Sequence, residues 1–481
     1  MDMRPIVLVN GILLTVLALA MLIPALVDVM VGNPDWRVFV LSAAITAFTG
    51  VAMALTTYTG GFSITVRQGF VMTTSTWLVI SAFGSLPFML SELRLSFSDA
   101  FFETISGITT TGATVIVGLD HLPPGILLWR ALLQWLGGIG IIVMAIAVMP
   151  MLRVGGMQLF RMESSDRTEK ALPRAAQIAS AIALIYLILT VVWSAAYAFA
   201  GMSVFDAVAH AMTTVATGGF STKDQSMALF ESPLIEGIAT LGMFMGGLPF
   251  VLYLRTLRGD YRALARDSQV RWFAGLVAVL ITMVTAWLWL HGGIELPKAV
   301  RWAAFNVVSV ITGTGYATTD YGLWGSFAVP LFFIIMFIGG CAGSTTCGIK
   351  IFRFQVLYAA ARTQLHHLFQ PHRVVVPFFN NRPVPDDVVL SVLSFFFVFG
   401  LCFGLLALGL GALGLDYLTA MSSAATAISN VGPGLGPVVG PASTFESLPD
   451  AAKWLLSAGM LLGRLEIFTV LVLFTRSFWR A

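Results

Sequence analysis

Residues 108–114 read Ile-Thr-Thr-Thr-Gly-Ala-Thr, between a short apolar run at 100–108 and a long one at 125–149. The hydroxyl side chains are small and the glycine has none. Backbone carbonyls in such a stretch can face a dehydrated cation, as carbonyl rings do in selective pores. Related stretches follow at 215–221 (Val-Ala-Thr-Gly-Gly-Phe-Ser), 311–317 (Ile-Thr-Gly-Thr-Gly-Tyr-Ala) and 429–434 (Ser-Asn-Val-Gly-Pro-Gly). Aligned on a shared glycine, they put Gly112, Gly218, Gly315 and Gly432 in register, 106, 97 and 117 residues apart. One such stretch is an ordinary turn between helices. Four at a near-constant period, each in the same apolar context, predict an internal repeat.

The rest of the chain fits a membrane setting. Of 481 residues, 57% are hydrophobic and 11% charged, against about 25% charged in soluble domains. The three cysteines (Cys341, Cys347, Cys402) form no disulfide framework and no metal-ligand spacing. The first apolar run passes beyond a cleavage-like Ala-Leu-Ala at 18–20 to residue 30, so it reads as a retained span.

Spans are predicted at 6–30 and 38–58. Four units follow, each a span, a half-length helix, the glycine-bearing stretch and a second span. The spans fall at 71–91 and 125–149, 176–200 and 234–254, 272–291 and 327–358, 388–413 and 452–474. The half-helices fall at 100–108, 204–214, 299–310 and 417–428. A helix of about 10 residues cannot cross a bilayer, which takes about 20. It must be re-entrant, because irregular backbone cannot face lipid. Its C-terminal dipole end favours a cation. The expected fold is thus an all-α polytopic membrane protein: four membrane–pore helix–membrane repeats around a pseudo-fourfold pore, plus two N-terminal transmembrane helices. The divisions are 1–66, 67–160, 161–265, 266–375 and 376–481.

Nineteen of the 27 Lys/Arg residues lie at the termini, at Arg67 or between repeats, including Arg153, Arg161, Arg167 and Lys170, Arg255 to Arg271, and Lys350 to Arg382. The positive-inside rule puts those segments and both termini in the cytoplasm. The alternate loops carry acids such as Asp120, Asp224 and Glu446, which draw cations to the outer mouth.

Two irregularities bear on mechanism. In the second span of repeat three, residues 339–348 read Gly-Gly-Cys-Ala-Gly-Ser-Thr-Thr-Cys-Gly. This composition disfavours helix and predicts an intramembrane gating loop with Gly340, Gly343, Ser344, Thr345, Thr346 and Gly348. The competing reading is a small-residue packing face through Gly340, Ser344 and Gly348. Gly343 to Gly348 matches G-x-x-x-x-G, but Ile349 stands where a P-loop needs lysine. Arg464 lies within the last span, where a buried charge marks a pathway or a partner. Two residues on, Glu466 is poorly placed to pair with it on one helix. Arg130 and Gln134, one turn apart, are candidates to hold a filter loop, and Arg130 alternatively snorkels to the outer interface. His210 reads as a packed helix residue. No H-E-x-x-H or carboxylate cluster suggests an enzyme.

With these stretches in hand, the chain resembles the Trk/Ktr/HKT superfamily of potassium transporters over nearly its whole length. Its N-terminal pair of spans resembles the bacterial Trk type. The resemblance implies filters built by Thr110, Thr111 and Gly112; Ala216, Thr217 and Gly218; Gly313, Thr314 and Gly315; and Asn430, Val431 and Gly432, with potassium held at their carbonyls. A glycine in each filter goes with potassium selectivity, and the intramembrane loop and Arg464 form the gate. The resemblance further implies a bacterial inner-membrane homodimer with a cytosolic nucleotide-binding regulatory subunit. Neither an organic cofactor nor a nucleic-acid partner is expected. The residues leave open channel-like flux and symport with sodium or protons. An alternating-access transporter would need inverted repeats, whereas these run parallel.

Overall fold

A computed structural model describes residues 1–58, 65–147, 171–370, 372, 376–380 and 382–480. The basic positions Arg153, Arg161, Arg167, Lys170 and Arg373 lie outside the described residues, as does the end of the span expected at 125–149. The chain folds as a polytopic all-α membrane protein. Strand structure among the described residues is one short hairpin, Phe378–Phe379 against Arg382–Pro383. Large apolar side chains such as Phe48, Leu55, Phe199 and Leu408 are more than two-thirds exposed, as lipid-facing helix surfaces require.

The first two helices, Arg4–Val31 and Trp36–Thr57, pack along each other. Asp28 at the end of the first accepts from Gly125 N at 2.7 Å. Asn10 meets Ser75 and Thr76 of the next span. The N-terminal pair is thereby tied to both spans of the first unit.

The four half-helices are Phe97–Ile108, Val204–Val215, Leu296–Ile311 and Tyr417–Ser429. Two start three residues earlier than the apolar pattern predicts and two start where it predicts. The reason is capping: Ser96, Ser203 and Asp416 accept from the backbone N–H three residues on, satisfying a donor the helix cannot. Leu296–Ile311 instead opens on Pro297, which has no N–H to satisfy.

The second spans differ most from expectation. Among the described residues, Pro124–Ala147 alone is an unbroken helix. The span expected at 234–254 is Pro233–Gly246 and Phe250–Leu257, bent by 95°. Pro249 has no N–H to continue the ladder, and the freed Phe250 N donates to Gly343 O at 2.9 Å. The span expected at 452–474 is Asp450–Arg464 and Ile467–Phe474, bent by 112°. Here Glu466 sits at φ 61, a conformation that costs an L-residue roughly 1–2 kcal/mol and is held by its side-chain partner described below. In the third unit, Ala328–Ile335 and Ile351–Phe369 flank a non-helical stretch. The small-residue helix face is therefore not formed. Among the described residues, seven helices are long and apolar enough to cross a membrane, or nine with each bent pair taken as one span.

Candidate functional site

All four half-helices run into their glycine stretch in the same way. Thr110, Thr217, Gly313 and Asn430 are left-handed, with φ of 54, 51, 68 and 53°. Two residues later Gly112, Gly219, Gly315 and Gly432 have φ of 86, 81, 81 and 110°. The N–H of each first residue returns to the carbonyl three back (Gly107, Thr214, Val310, Ala427). That of the next returns five back (Ser106, Thr213, Ser309, Thr426). This hydrogen-bond pattern fixes the equivalences. The second loop aligns as Thr217-Gly218-Gly219, one residue later than the sequence alignment on Gly218. Ala216 is thus the last helical turn's cap, and Gly219 occupies the position assigned to Gly218. Two adjacent glycines concealed the shift.

The glycines also fix how the loops meet. A Cβ added to Gly112 would lie 2.3 Å from Gly218 O, and one on Gly219 would lie 1.7 Å from Thr314 O. One on Gly315 would lie 2.2 Å from Val431 O, and one on Gly432 would lie 2.7 Å from Thr111 O. Each glycine thus takes the carbonyl of the next unit against its Cα, and the fourth returns to the first. The loops form a closed ring in chain order. Glycine is required twice over, by φ and by the close approach.

Side chains brace this ring from outside. Nine residues before each ring glycine stand Glu103, His210, Asn306 and Ser423. Glu103 accepts from Thr114 Oγ1 at 3.0 Å and Val115 N at 2.9 Å. It also accepts from Arg130 Nε at 2.8 Å. Arg130 donates onward to Ser221 O at 2.8 Å, and Gln134 takes Gly218 O and Phe220 N. Arg130 is buried rather than at the outer interface, and with Gln134 it clamps the first loop to the second. His210 Nδ1 donates to Asp206 O at 2.8 Å, leaving Nε2 to accept from Ser221 Oγ at 2.9 Å. It is a bracing residue. Asn306 holds Thr318.

In the fourth unit Ser423 Oγ has no partner, and Asn430 takes over. Its Nδ2 donates to Thr111 Oγ1 at 2.9 Å and to Met460 O at 2.8 Å, closing the ring between the last unit and the first. Asn430→Asp keeps the shape and the left-handed preference but loses both donors. It should lower stability by about 1–3 kcal/mol, the cost of stranding buried acceptors, in a denaturation midpoint of the purified protein. Asn430→Gly, which suits the backbone, should cost less.

Beneath the ring lies the broken segment of the third unit. Its ends zip together through Gly339 N to Ile349 O and Ile349 N to Phe337 O, both 2.9 Å. Thr345 Oγ1 meets Thr217 Oγ1 at 3.1 Å and Gly246 O at 3.0 Å, and Cys341 N donates to Gly247 O. The bend in the second unit thus receives the loop. Arg464, 2% exposed, donates to Thr345 O at 3.1 Å and Gly137 O at 2.9 Å and also meets Cys347 Sγ. Glu466 does not pair with Arg464. It holds Arg353 at 2.5 Å, whose guanidinium lies 3.7 Å from the Phe395 ring centroid. Lys350 Nζ donates to Thr346 O. Lys350 and Arg353, grouped with the loop cations by their spacing in the sequence, are therefore tied into the protein interior. A cavity of about 30 Å³ remains here, with Ser344, Thr346, Arg464 and Phe399 on its walls.

The profile of the TrkH cation transport proteins matches residues 36–480. The chain is 49% identical to the Trk system potassium uptake protein TrkI of Halomonas elongata, over 99% of this chain and 97% of that one. It is 39% identical to TrkH of Escherichia coli over the full length of both. The crystal structure of the potassium transporter TrkH from Vibrio parahaemolyticus superposes with a TM-score of 0.93 at 37% identity, covering 100% of both chains.

Proposed function

The chain belongs to the TrkH family of cation transport proteins, and on that premise we propose that it takes up potassium through the ring of carbonyls at 110–112, 217–219, 313–315 and 430–432. The observation that carries this reading is the cyclic contact of each ring glycine with the next unit's carbonyl. Four loops so fixed offer oxygens on all sides of one axis, which can replace a hydration shell. The half-helices end on the ring and add the partial negative charge of their C-termini.

The segment at 336–350, with Arg464, is the gate. It contacts the ring's underside at Thr217, and the nearby cavity holds no more than a water or two by volume, too little for a hydrated ion. Flux is channel-like. Glu103, the carboxylate that reaches the first loop, is committed to Arg130, Thr114 and Val115. The inside-negative potential drives entry with about 2.3 kcal/mol per charge per 100 mV. The location is the bacterial inner membrane with cytoplasmic termini, and the assembly is a homodimer opened by a cytosolic nucleotide-binding subunit.

The test is rubidium uptake in a bacterium lacking its own potassium systems, with that subunit co-expressed and with sodium as competitor. Uptake that sodium leaves unchanged, and that Gly315→Ser abolishes or opens to sodium, is expected. Sodium inhibition in the native chain, or unaltered uptake by Gly315→Ser, would refute the filter assignment.

A further inference from the structure

A second cleft, of about 410 Å³, opens where the first span of the third unit begins. Its walls come from three places. Ser268 and Trp272 lie in the first turns of Ser268–Leu290. Gln355, Tyr358, Arg362 and His366 form one face of Ile351–Phe369. Phe378 comes from the hairpin. The volume is that of a small-molecule site.

Its chemistry is specific. Arg362 and His366 bring cationic and donor character, and no described lining residue is a carboxylate. Gln355 is 8% exposed. Its Nε2 donates to Ser268 O at 3.1 Å, while its buried Oε1 has no hydrogen-bond partner. The Ser268 hydroxyl is likewise buried and unpartnered. Buried polar atoms of this kind are normally satisfied. Trp272 and Tyr358 meet edge to face at 5.5 Å and stay 44% and 58% exposed. An occupant should therefore present an anion to Arg362 and His366, a hydroxyl to Gln355 and Ser268, and apolar surface to the rings.

The cleft's depth in the membrane selects among such molecules. Trp272 sits in the first turns of a span, the level where tryptophan marks the membrane–water interface. The chain leading into that span and its first turn carry Arg258, Arg262, Arg266 and Arg271 against Asp260 and Asp267. Basic pockets between helices at this level suit phospholipid headgroups.

We propose that this cleft binds the headgroup of an anionic glycerophospholipid, with the phosphate at Arg362 and His366, a headgroup hydroxyl at Gln355 Oε1, and acyl chains along Trp272 and Tyr358. The same helix begins where the intramembrane segment ends and carries Arg353, so the lipid braces the element next to the gate. The assignment does not depend on the transport reading, and neither does its test.

The full chain, purified and stripped of lipid, is exposed to phosphatidylglycerol, phosphatidic acid and phosphatidylcholine, and retained lipid is counted by native mass spectrometry. Arg362→Gln/His366→Gln, at exposed and half-buried positions, should weaken phosphatidylglycerol retention about tenfold, the worth of a charge-assisted hydrogen bond, without altering phosphatidylcholine. Gln355→Met, near in size but with no acceptor, should erase the preference for phosphatidylglycerol over phosphatidic acid, which has no headgroup hydroxyl. Excess glycerol 3-phosphate should leave the lipid bound. Equal retention by the native chain and the double variant overturns the site. Displacement by glycerol 3-phosphate overturns the lipid and points to a soluble phosphate ester.

Discussion

Gly219→Ala should reduce rubidium uptake about tenfold or more, whereas Gly218→Ala should reduce it less. The ranking follows from the ring and not from the sequence alignment, which gave Gly218 the central place. At Gly219 the new Cβ meets Thr314 O at 1.7 Å and the backbone is at φ 81°. Left-handed strain alone costs roughly 1–2 kcal/mol, and the clash falls on backbone, so the next unit's carbonyl must move. Each 1.36 kcal/mol in a rate-limiting barrier is about tenfold in rate. At Gly218 the Cβ meets the end of the Gln134 side chain at 2.4 Å, and a side chain can swing away. The loss is then that of the Gln134 clamp on Gly218 O and Phe220 N. Rubidium uptake, measured with the proposed regulatory subunit co-expressed, decides the matter. If Gly218→Ala is the more damaging of the two, the register drawn from the hydrogen bonds is wrong.

That one-residue shift shows what the sequence could and could not convey. The repeat was legible because small hydroxyl residues and glycine recur in long apolar surroundings, and half-length helices have few alternatives in a membrane. The register within Thr-Gly-Gly was not, since either glycine satisfies the pattern and only the returning N–H bonds distinguish them. The helix break at 339–348 was legible from its composition. The bends at 247–249 and 465–466 were not. Gly246, Gly247 and Pro249, and Arg464 and Glu466, mark weak points in the two apolar runs, but the angle of each bend is set by a tertiary partner: Phe250 N finds Gly343 O, and Glu466 finds Arg353. A hydropathy pattern carries no record of a partner more than 90 residues away. For the same reason Arg353 and Lys350 looked like ordinary loop cations, while Arg464 stood out only because apolar residues surround it on both sides.

Glu466→Gln should lower the stability of the purified protein by about 3–5 kcal/mol, the cost of leaving one member of a buried ion pair without its counter-charge. It should also raise rubidium leak into vesicles that hold this chain alone. Both effects arise at one place. The break between Asp450–Arg464 and Ile467–Phe474 sends Arg464 to Thr345 and Cys347 of the non-helical segment proposed as the gate, and Glu466 to Arg353 in the helix that follows it. The later half of the segment and the helix after it are thus fastened to residues two apart, so that half cannot move from under the ring while both contacts hold. Stability and leak are separable. Replacing a buried ion pair with apolar residues of similar size is often neutral for folding, and Phe395 already offers Arg353 an aromatic neighbour. Arg353→Met/Glu466→Leu should therefore regain most of the stability lost in Glu466→Gln yet keep the raised leak, because no apolar pair reproduces a directional tether. A double variant with native stability and native leak would make the pair a packing element and leave the restraint of the proposed gate to Arg464 and to the contacts of Thr345 and Cys341 with the second unit.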